Sequence, residues 1–124
     1  MNLNSKVNFL LGLHAQLKIN HWQTKVFAKH KAFGDIYDKL TGLIDSFVEV
    51  SMGKYGRFTL DDETNTIELI NLSDMDSKNM IMVCIEALSE FSESLDSEKD
   101  TDLLNIRDEM MASLNQLNYL LTLE

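Results

Sequence analysis

The chain has 124 residues with 11 basic and 20 acidic side chains, a net charge of −9, no proline and five glycines. Its length is that of one domain, and the lack of proline favours long helices over a turn-rich sheet protein. The negative charge argues against general phosphate binding, and no segment is apolar for the roughly 18 residues of a membrane span. We therefore expect no nucleic-acid partner, no membrane partner and a cytoplasmic location.

The first predicted helix is capped by Asn4 or Ser5 and carries a stripe of apolar and imidazole side chains spaced three or four residues apart. The stripe consists of Val7, Leu10, Leu11, His14, Leu17 and His21. A lone histidine on such a stripe is more often a hydrogen-bonded core residue, and we interpret His14 in this way. We expect a turn near residues 23–26, because one helix continuing to residue 55 would be far longer than usual.

The second predicted helix ends at Gly53 or Gly56 and carries two acids beside its apolar face. Asp45 and Glu49 lie one helical turn apart, and neither has a Lys or Arg three or four residues away. Their like charges repel, so a cation or a second chain would supply the missing neutralisation. The alternative is that both acids are simply solvated, because an exposed pair of this kind costs only a few tenths of a kcal/mol.

Helical periodicity is lost over residues 57–76, which we expect to form a crossover with a short helix or an extended piece. A third helix capped by Asp76 or Ser77 follows, then a turn at residues 97–100 and a fourth helix opened by Asp100 or Thr101. The chain is thus predicted to be all-α, a single four-helix bundle over residues 1–124. Ferritin-like folds have this connectivity, in which two helical hairpins are joined by one long crossover.

Side chains in the second half are given structural roles. The single cysteine, Cys84, has no partner for an internal disulfide and is interpreted as a small core residue in a reducing compartment. Three acids of the third helix, Glu86, Glu90 and Glu93, are expected on a solvated face. The methionines are interpreted as gap-filling core rather than as metal ligands; they are Met75, Met80, Met82, Met110 and Met111.

Any metal chemistry is confined to the first two helices, because all three histidines precede residue 31. The chain contains no Glu-x-x-His, which di-iron bundles usually take from two helices, so an intrachain di-iron centre is not expected. Imidazole together with carboxylate suits iron, manganese, zinc or cobalt, and open positions on iron permit oxidation by peroxide or oxygen. The candidate metal ligands are His21, His30, Asp45 and Glu49.

The order and spacing of these residues resemble the mini-ferritins of the DNA-protection-during-starvation (Dps) family, and most closely their short bacteriophage-encoded members. The resemblance covers roughly residues 17–49. Its elements are His21-Trp22, His30 followed by Phe33 and Tyr37, and Asp45 with Glu49. The chain departs from the family pattern in a shorter segment between the two histidines, in Val50 where a basic residue is usual, and in lacking a lysine-rich arm.

The resemblance implies an iron-oxidising site shared between subunits. Iron, or another divalent transition metal, would be bound by His21 and His30 of one subunit and by Asp45 and Glu49 of its two-fold mate, with Trp22 nearby as an electron donor. A homo-oligomer, at least a dimer through the first two helices, follows from this, in a bacterial or phage-infected cell. The alternative is a catalytically silent bundle acting as a phage interaction or virion-associated protein, because fold does not determine function.

Overall fold

The chain consists of four α-helices and no strand in a computed structural model that describes residues 1–124. The helices are α1 (Leu3–Gln23), α2 (Phe27–Tyr55), α3 (Ser77–Glu90) and α4 (Thr101–Leu120), with short 3-10 turns at Leu72–Asp74 and Phe91–Ser94. The all-helical prediction is confirmed, and so is the turn near residues 23–26. None of the helices combines the length and apolarity that crossing a membrane requires.

The start of α1 and the end of α2 follow local capping rules. The start of α1 is earlier than predicted, because Asn2 rather than Asn4 or Ser5 is the N-cap and its side chain accepts from the N–H of Ser5 at 2.9 Å. Asn2 and Asn4 are equally good capping residues, and composition alone does not choose between them. Gly56 ends α2 with a φ of 90°, in the left-handed region that glycine adopts without strain.

The core lies between α2 and its two neighbours. The second helix packs against both α1 and α4, and α3 packs against α4. The side chains of Phe33, Phe47 and Phe91 are fully buried. Much of the remaining core comes from α3 and α4, through Ile81, Leu88, Leu103, Met110, Leu114 and Leu117. Cys84 is buried as expected, and burial raises the pKa of its thiol to about 11. The prediction that the methionines fill gaps in the core is wrong for Met82, which is 50% exposed.

The crossover is held along α1 by side-chain amides. Asn8 donates to the carbonyl oxygens of residues 64 and 66, and Gln16 both donates to and accepts from the backbone of Ile70. Further on, Gln23 accepts from the N–H of Leu72 at 2.8 Å. The chain therefore returns along the whole length of α1 before α3 begins, which sets the short, long, short order of connections that the sequence predicts.

Asp100 fastens the end of α2 to the start of α4. Its carboxylate, with the residue only 3% exposed, accepts from the hydroxyl of Tyr55 and from the N–H of Asp96, and lies 3.1 Å from Nζ of Lys54. These contacts, the Tyr55 hydrogen bond foremost, lower the pKa of Asp100 to about 2. Asp100 precedes α4 as predicted, but its side chain makes no capping bond to that helix.

We predict that Asp100→Asn lowers the free energy of unfolding by about 1–3 kcal/mol near neutral pH, since it weakens hydrogen bonds to a buried charge. The folded-state pKa is depressed, so this stability is present above the ordinary value of 3.8 and is lost as the pH falls towards about 2. Urea unfolding of wild type and variant at several pH values measures this loss. The exposed Asp62→Asn is the control, and an undiminished gap between wild type and Asp100→Asn at the acid end would contradict the assignment.

Candidate functional site

The two candidate histidines hold α1 and α2 together at the corner where the two helices meet. His21 lies in the last turn of α1 and His30 in the first turn of α2. Nδ1 of His21 is 2.7 Å from the carbonyl oxygen of His30, and Nδ1 of His30 is 2.8 Å from the carbonyl oxygen of His21. The two rings stack with centroids 3.8 Å apart and planes 19° from parallel. Each imidazole therefore binds the backbone of the other.

This reciprocal contact sets which ring nitrogen carries the proton in each neutral imidazole. A carbonyl oxygen only accepts hydrogen bonds, so each Nδ1 carries the proton and each neutral ring has its lone pair on Nε2. Neither Nε2 makes a hydrogen bond within the chain. Neither is among the buried side-chain atoms that lack a partner, so both are open to solvent. Metal-binding histidines usually donate their other ring N–H to a carbonyl or carboxylate in this way. His21 and His30 thus present two accessible nitrogen lone pairs.

One chain does not complete a metal site. No group of three or more His, Cys, Asp or Glu side chains is placed to hold a metal ion. In addition, an imidazole lone pair lies in the ring plane, and two stacked planes only 19° from parallel do not meet at one ion about 2.1 Å from each nitrogen. Binding of a single ion by both rings requires one ring to rotate and further ligands to come from outside the chain.

The two candidate acids lie on α2, far from the corner between α1 and α2 that holds the two histidines. Asp45 and Glu49 are both exposed, and fifteen residues of helix place Asp45 about 22 Å from His30 along the axis. The hydrogen bond with Asp45, together with the charge of that neighbour, raises the pKa of Glu49. A cation between the two carboxylates would relieve this repulsion. The structure therefore brings together each pair of candidate ligands but not the two pairs.

Trp22 and His14 lie beside this site without joining it. The Trp22 ring is 65% exposed, and Nζ of Lys18 lies 5.4 Å from its centroid and 4.5 Å from that of Tyr37. His14 stacks on Tyr37 at 3.8 Å, and its Nε2 lies 3.1 Å from the Tyr37 carbonyl oxygen and 2.9 Å from Oγ1 of Thr41. Burial lowers the pKa of His14. The prediction that His14 is hydrogen-bonded is confirmed, but the residue is only partly buried and lies outside the core.

Gly34 is a site residue that the sequence analysis missed. A Cβ at this position would lie 2.9 Å from both Cε1 and Nδ1 of His21, closer than real side chains approach. Only glycine therefore lets the His21 ring lie against α2 and reach the His30 carbonyl. The available signal was a glycine inside a long helix, one turn after His30, where it weakens the helix unless close packing requires it.

We predict that Gly34→Ala lowers the free energy of unfolding by about 1–3 kcal/mol, because the added methyl group displaces the His21 ring. The matched control is Gly42→Ala in the same helix, where a Cβ meets nothing within 4 Å. That change should raise stability by about 0.5–1 kcal/mol through helix propensity. Thermal unfolding gives both values, and ¹⁵N spectra of the imidazoles report loss of the Nδ1–H form. Equal stabilisation by the two variants would refute the close contact.

Residues 21–121 match a family model described as "Family of unknown function (DUF5856)". An uncharacterized 14.6 kDa protein from the mobD–ri intergenic region of Enterobacteria phage T4 is 28% identical over 118 residues. That alignment covers 95% of this chain and 86% of the phage protein. No solved structure matches the chain.

The resemblance to the Dps mini-ferritins is wrong. The matching family model covers the motif from His21 to Glu49 and carries no ferritin description, and the phage relative is uncharacterized. The motif misled because residues on one face of any helix recur at spacings of three, four, seven and fifteen, whatever their role. Spacing also does not reveal that the two histidines hydrogen-bond each other's backbone.

Proposed function

The chain belongs to the family of unknown function DUF5856, and we propose that two copies of it bind Fe(II) between them and oxidise it. The observation that carries the proposal is the pair of Nδ1 hydrogen bonds, which leaves two neighbouring imidazoles with accessible Nε2 lone pairs. Neutral imidazole favours transition metals over calcium or magnesium, and iron among them changes oxidation state with peroxide or oxygen. Other divalent transition metals suit the same ligands.

A second copy supplies the missing carboxylates if two α2 helices pair antiparallel about a two-fold axis. His30 and Asp45 lie at equal distances on either side of the Tyr37–Asp38 midpoint of α2. A two-fold axis at that midpoint therefore sets His30 of one copy opposite Asp45 of the other, and creates two equivalent sites. In this proposal each copy has the helix connectivity of ferritin-like folds, because its three connections are short, long and short in chain order.

The residues take distinct roles in such a site. One of the two rings keeps its Nδ1 hydrogen bond to the backbone and binds Fe(II) through Nε2. The other ring gives up its Nδ1 hydrogen bond when it turns out of the stack to bind the same ion. Asp45 and Glu49 of the second copy bring the negative charge that stabilises the ferric product better than the ferrous substrate. Each iron loses one electron, and a peroxide molecule takes two electrons and two protons to give two waters.

We predict that the protein accelerates Fe(II) oxidation by peroxide over the protein-free rate, and that Asp45→Asn abolishes the acceleration. Asparagine keeps the size but removes the charge. Without metal the same variant should raise the melting temperature at neutral pH. The raised pKa of Glu49 means that the folded state loses stability as the pH rises through that pKa, and Asp45→Asn removes the cause. Stopped-flow absorbance and thermal unfolding measure the two effects.

His14→Gln is the control for the oxidation assay, since His14 lies on the same helix stripe but bonds within the chain. It should leave the rate nearly unchanged, whereas His21→Gln and His30→Gln should remove the acceleration. Equal loss in the His14 and Asp45 variants, or a wild-type rate no faster than buffer, would defeat the proposal.

We further predict a dimer through α1 and α2 at tens of micromolar protein, measured by analytical ultracentrifugation with and without Fe(II) under nitrogen. Leu11, Trp22 and Phe27 expose apolar surface on these helices, at 48%, 65% and 78%. Metal should tighten the association, because it bridges the two copies. A monomer in the presence of metal would rule out a site shared between copies.

A second candidate function is that of a catalytically silent interaction protein, in a virion or in a phage-infected cell. Two observations favour it: the stacked rings already satisfy each other's backbone, and Trp22, Val26 and Phe27 expose apolar surface at the same corner. In that case the histidine pair is a structural clasp, and the oxidation assay separates the two functions directly.

A further inference from the structure

The first part of the chain is basic, although the chain as a whole is acidic. Residues 1–34 contain five lysines and no aspartate or glutamate, whereas residues 35–124 hold all 20 acids and six of the 11 basic residues. Such a division indicates a partner that meets one part of the molecule. The expectation of no membrane partner rested on the net charge and on the lack of a spanning segment. Binding to a membrane surface requires neither a basic chain nor a span.

Apolar side chains are exposed among these lysines where α1 and α2 meet. The residues are Trp22, Val26 and Phe27 with Lys18, Lys25 and Lys31, and we call them the basic corner. Phe27 is the most exposed large hydrophobic residue of the protein. Lys31 follows it by one turn on the same side of α2, and Nζ of Lys18 lies 5.4 Å from the ring centroid of Trp22. None of the three lysines forms an ion pair within the chain, so their charge is free to attract a partner.

The basic corner projects from the bundle and does not form a groove. Only three residues connect the two helices, and the mutual hydrogen bonds of His21 and His30 hold the helix ends in place. Trp22 and Phe27 line none of the larger clefts of the molecule. Peptides are usually recognised in a groove or at a strand edge, and single-stranded nucleic acid in a groove that follows its backbone. A broad anionic surface with an apolar interior fits a projecting apolar tip better than either of these.

We propose that the basic corner docks the protein on an anionic lipid bilayer. Trp22, Val26 and Phe27 enter the boundary between headgroups and acyl chains, and the three lysines contact the lipid phosphates. The acidic remainder of the chain is repelled by the same lipids, so the bundle approaches the membrane with this corner first. This inference rests on the second candidate function, that of an interaction protein, and names its partner. It requires no metal.

Co-sedimentation of the metal-free protein with large vesicles tests the docking. Phosphatidylcholine vesicles with about 40% phosphatidylglycerol offer the anionic surface, and pure phosphatidylcholine vesicles are the neutral control. We expect saturable binding to the anionic vesicles that weakens at least tenfold on neutral lipid or in about 0.5 M salt, because screening removes the attraction of the lysines. Trp22 is the single tryptophan, so its fluorescence should shift to the blue and become quenched by brominated lipid when the corner inserts.

Variants locate the docking surface. Phe27→Ser should weaken binding to the anionic vesicles at least tenfold. Lys25→Gln combined with Lys31→Gln should weaken it roughly 25-fold, since each lysine near such a surface contributes about a fivefold factor. The matched controls are Leu60→Ser and Lys99→Gln, which change exposed residues away from this corner and should leave binding unchanged. Circular dichroism checks that every variant keeps its helices.

Equal binding to anionic and neutral vesicles, an unshifted Trp22 spectrum, or full binding by the Phe27 and lysine variants would overturn the proposal. Two other occupants are tested with the same variants: a second copy by analytical ultracentrifugation, and single-stranded DNA by the anisotropy of a labelled oligonucleotide. If Phe27→Ser dissolves a dimer or abolishes oligonucleotide binding while vesicles stay unbound, the membrane proposal fails and the interaction function stands. The iron oxidation assay contains no lipid, so its result is independent of this one.

Discussion

The contact between His21 and His30 is the constraint on which the first half of the bundle depends. It joins the end of α1 to the start of α2 through two backbone hydrogen bonds and one ring stack, across a connection of only three residues. The contact exists because Gly34 carries no Cβ. It also decides the chemistry of the corner, since donating from Nδ1 leaves Nε2 as the free nitrogen on both rings.

The opposite end of the bundle is fastened by charge instead of aromatic stacking. Asp100 is nearly buried, yet it remains ionised because Tyr55, Lys54 and a backbone N–H supply hydrogen bonds and positive charge. Between the two ends, Asn8 and Gln16 hold the crossover against α1 through side-chain amides. The bundle is thus held at each end by partly buried polar contacts around an apolar centre. Removing one partner of such a contact leaves the other unsatisfied.

The site chemistry divides into two incomplete halves about 22 Å apart along α2. The imidazoles at the corner between α1 and α2 lack a carboxylate, and the carboxylates beyond the middle of α2 lack a counter-ion. Two-fold symmetry is the simplest arrangement that joins such halves, because it brings the start of one helix against the distal part of another. In a monomer, the histidine pair only joins α1 to α2 and the two acids only repel each other mildly. This is the state expected if the protein is a catalytically silent interaction protein.

The sequence by itself determined the four helices and the turn near residues 23–26, because these follow from local periodicity, capping and turn chemistry. The assignment of His21, His30, Asp45 and Glu49 as metal ligands stays a prediction. The sequence did not determine family membership, since residue spacing on a helix face is shared by unrelated proteins. Only the tertiary structure decided that His21 and His30 bind each other's backbone and that Gly34 permits this contact. These contacts join residues on separate elements or across a turn, and their geometry depends on how whole helices pack.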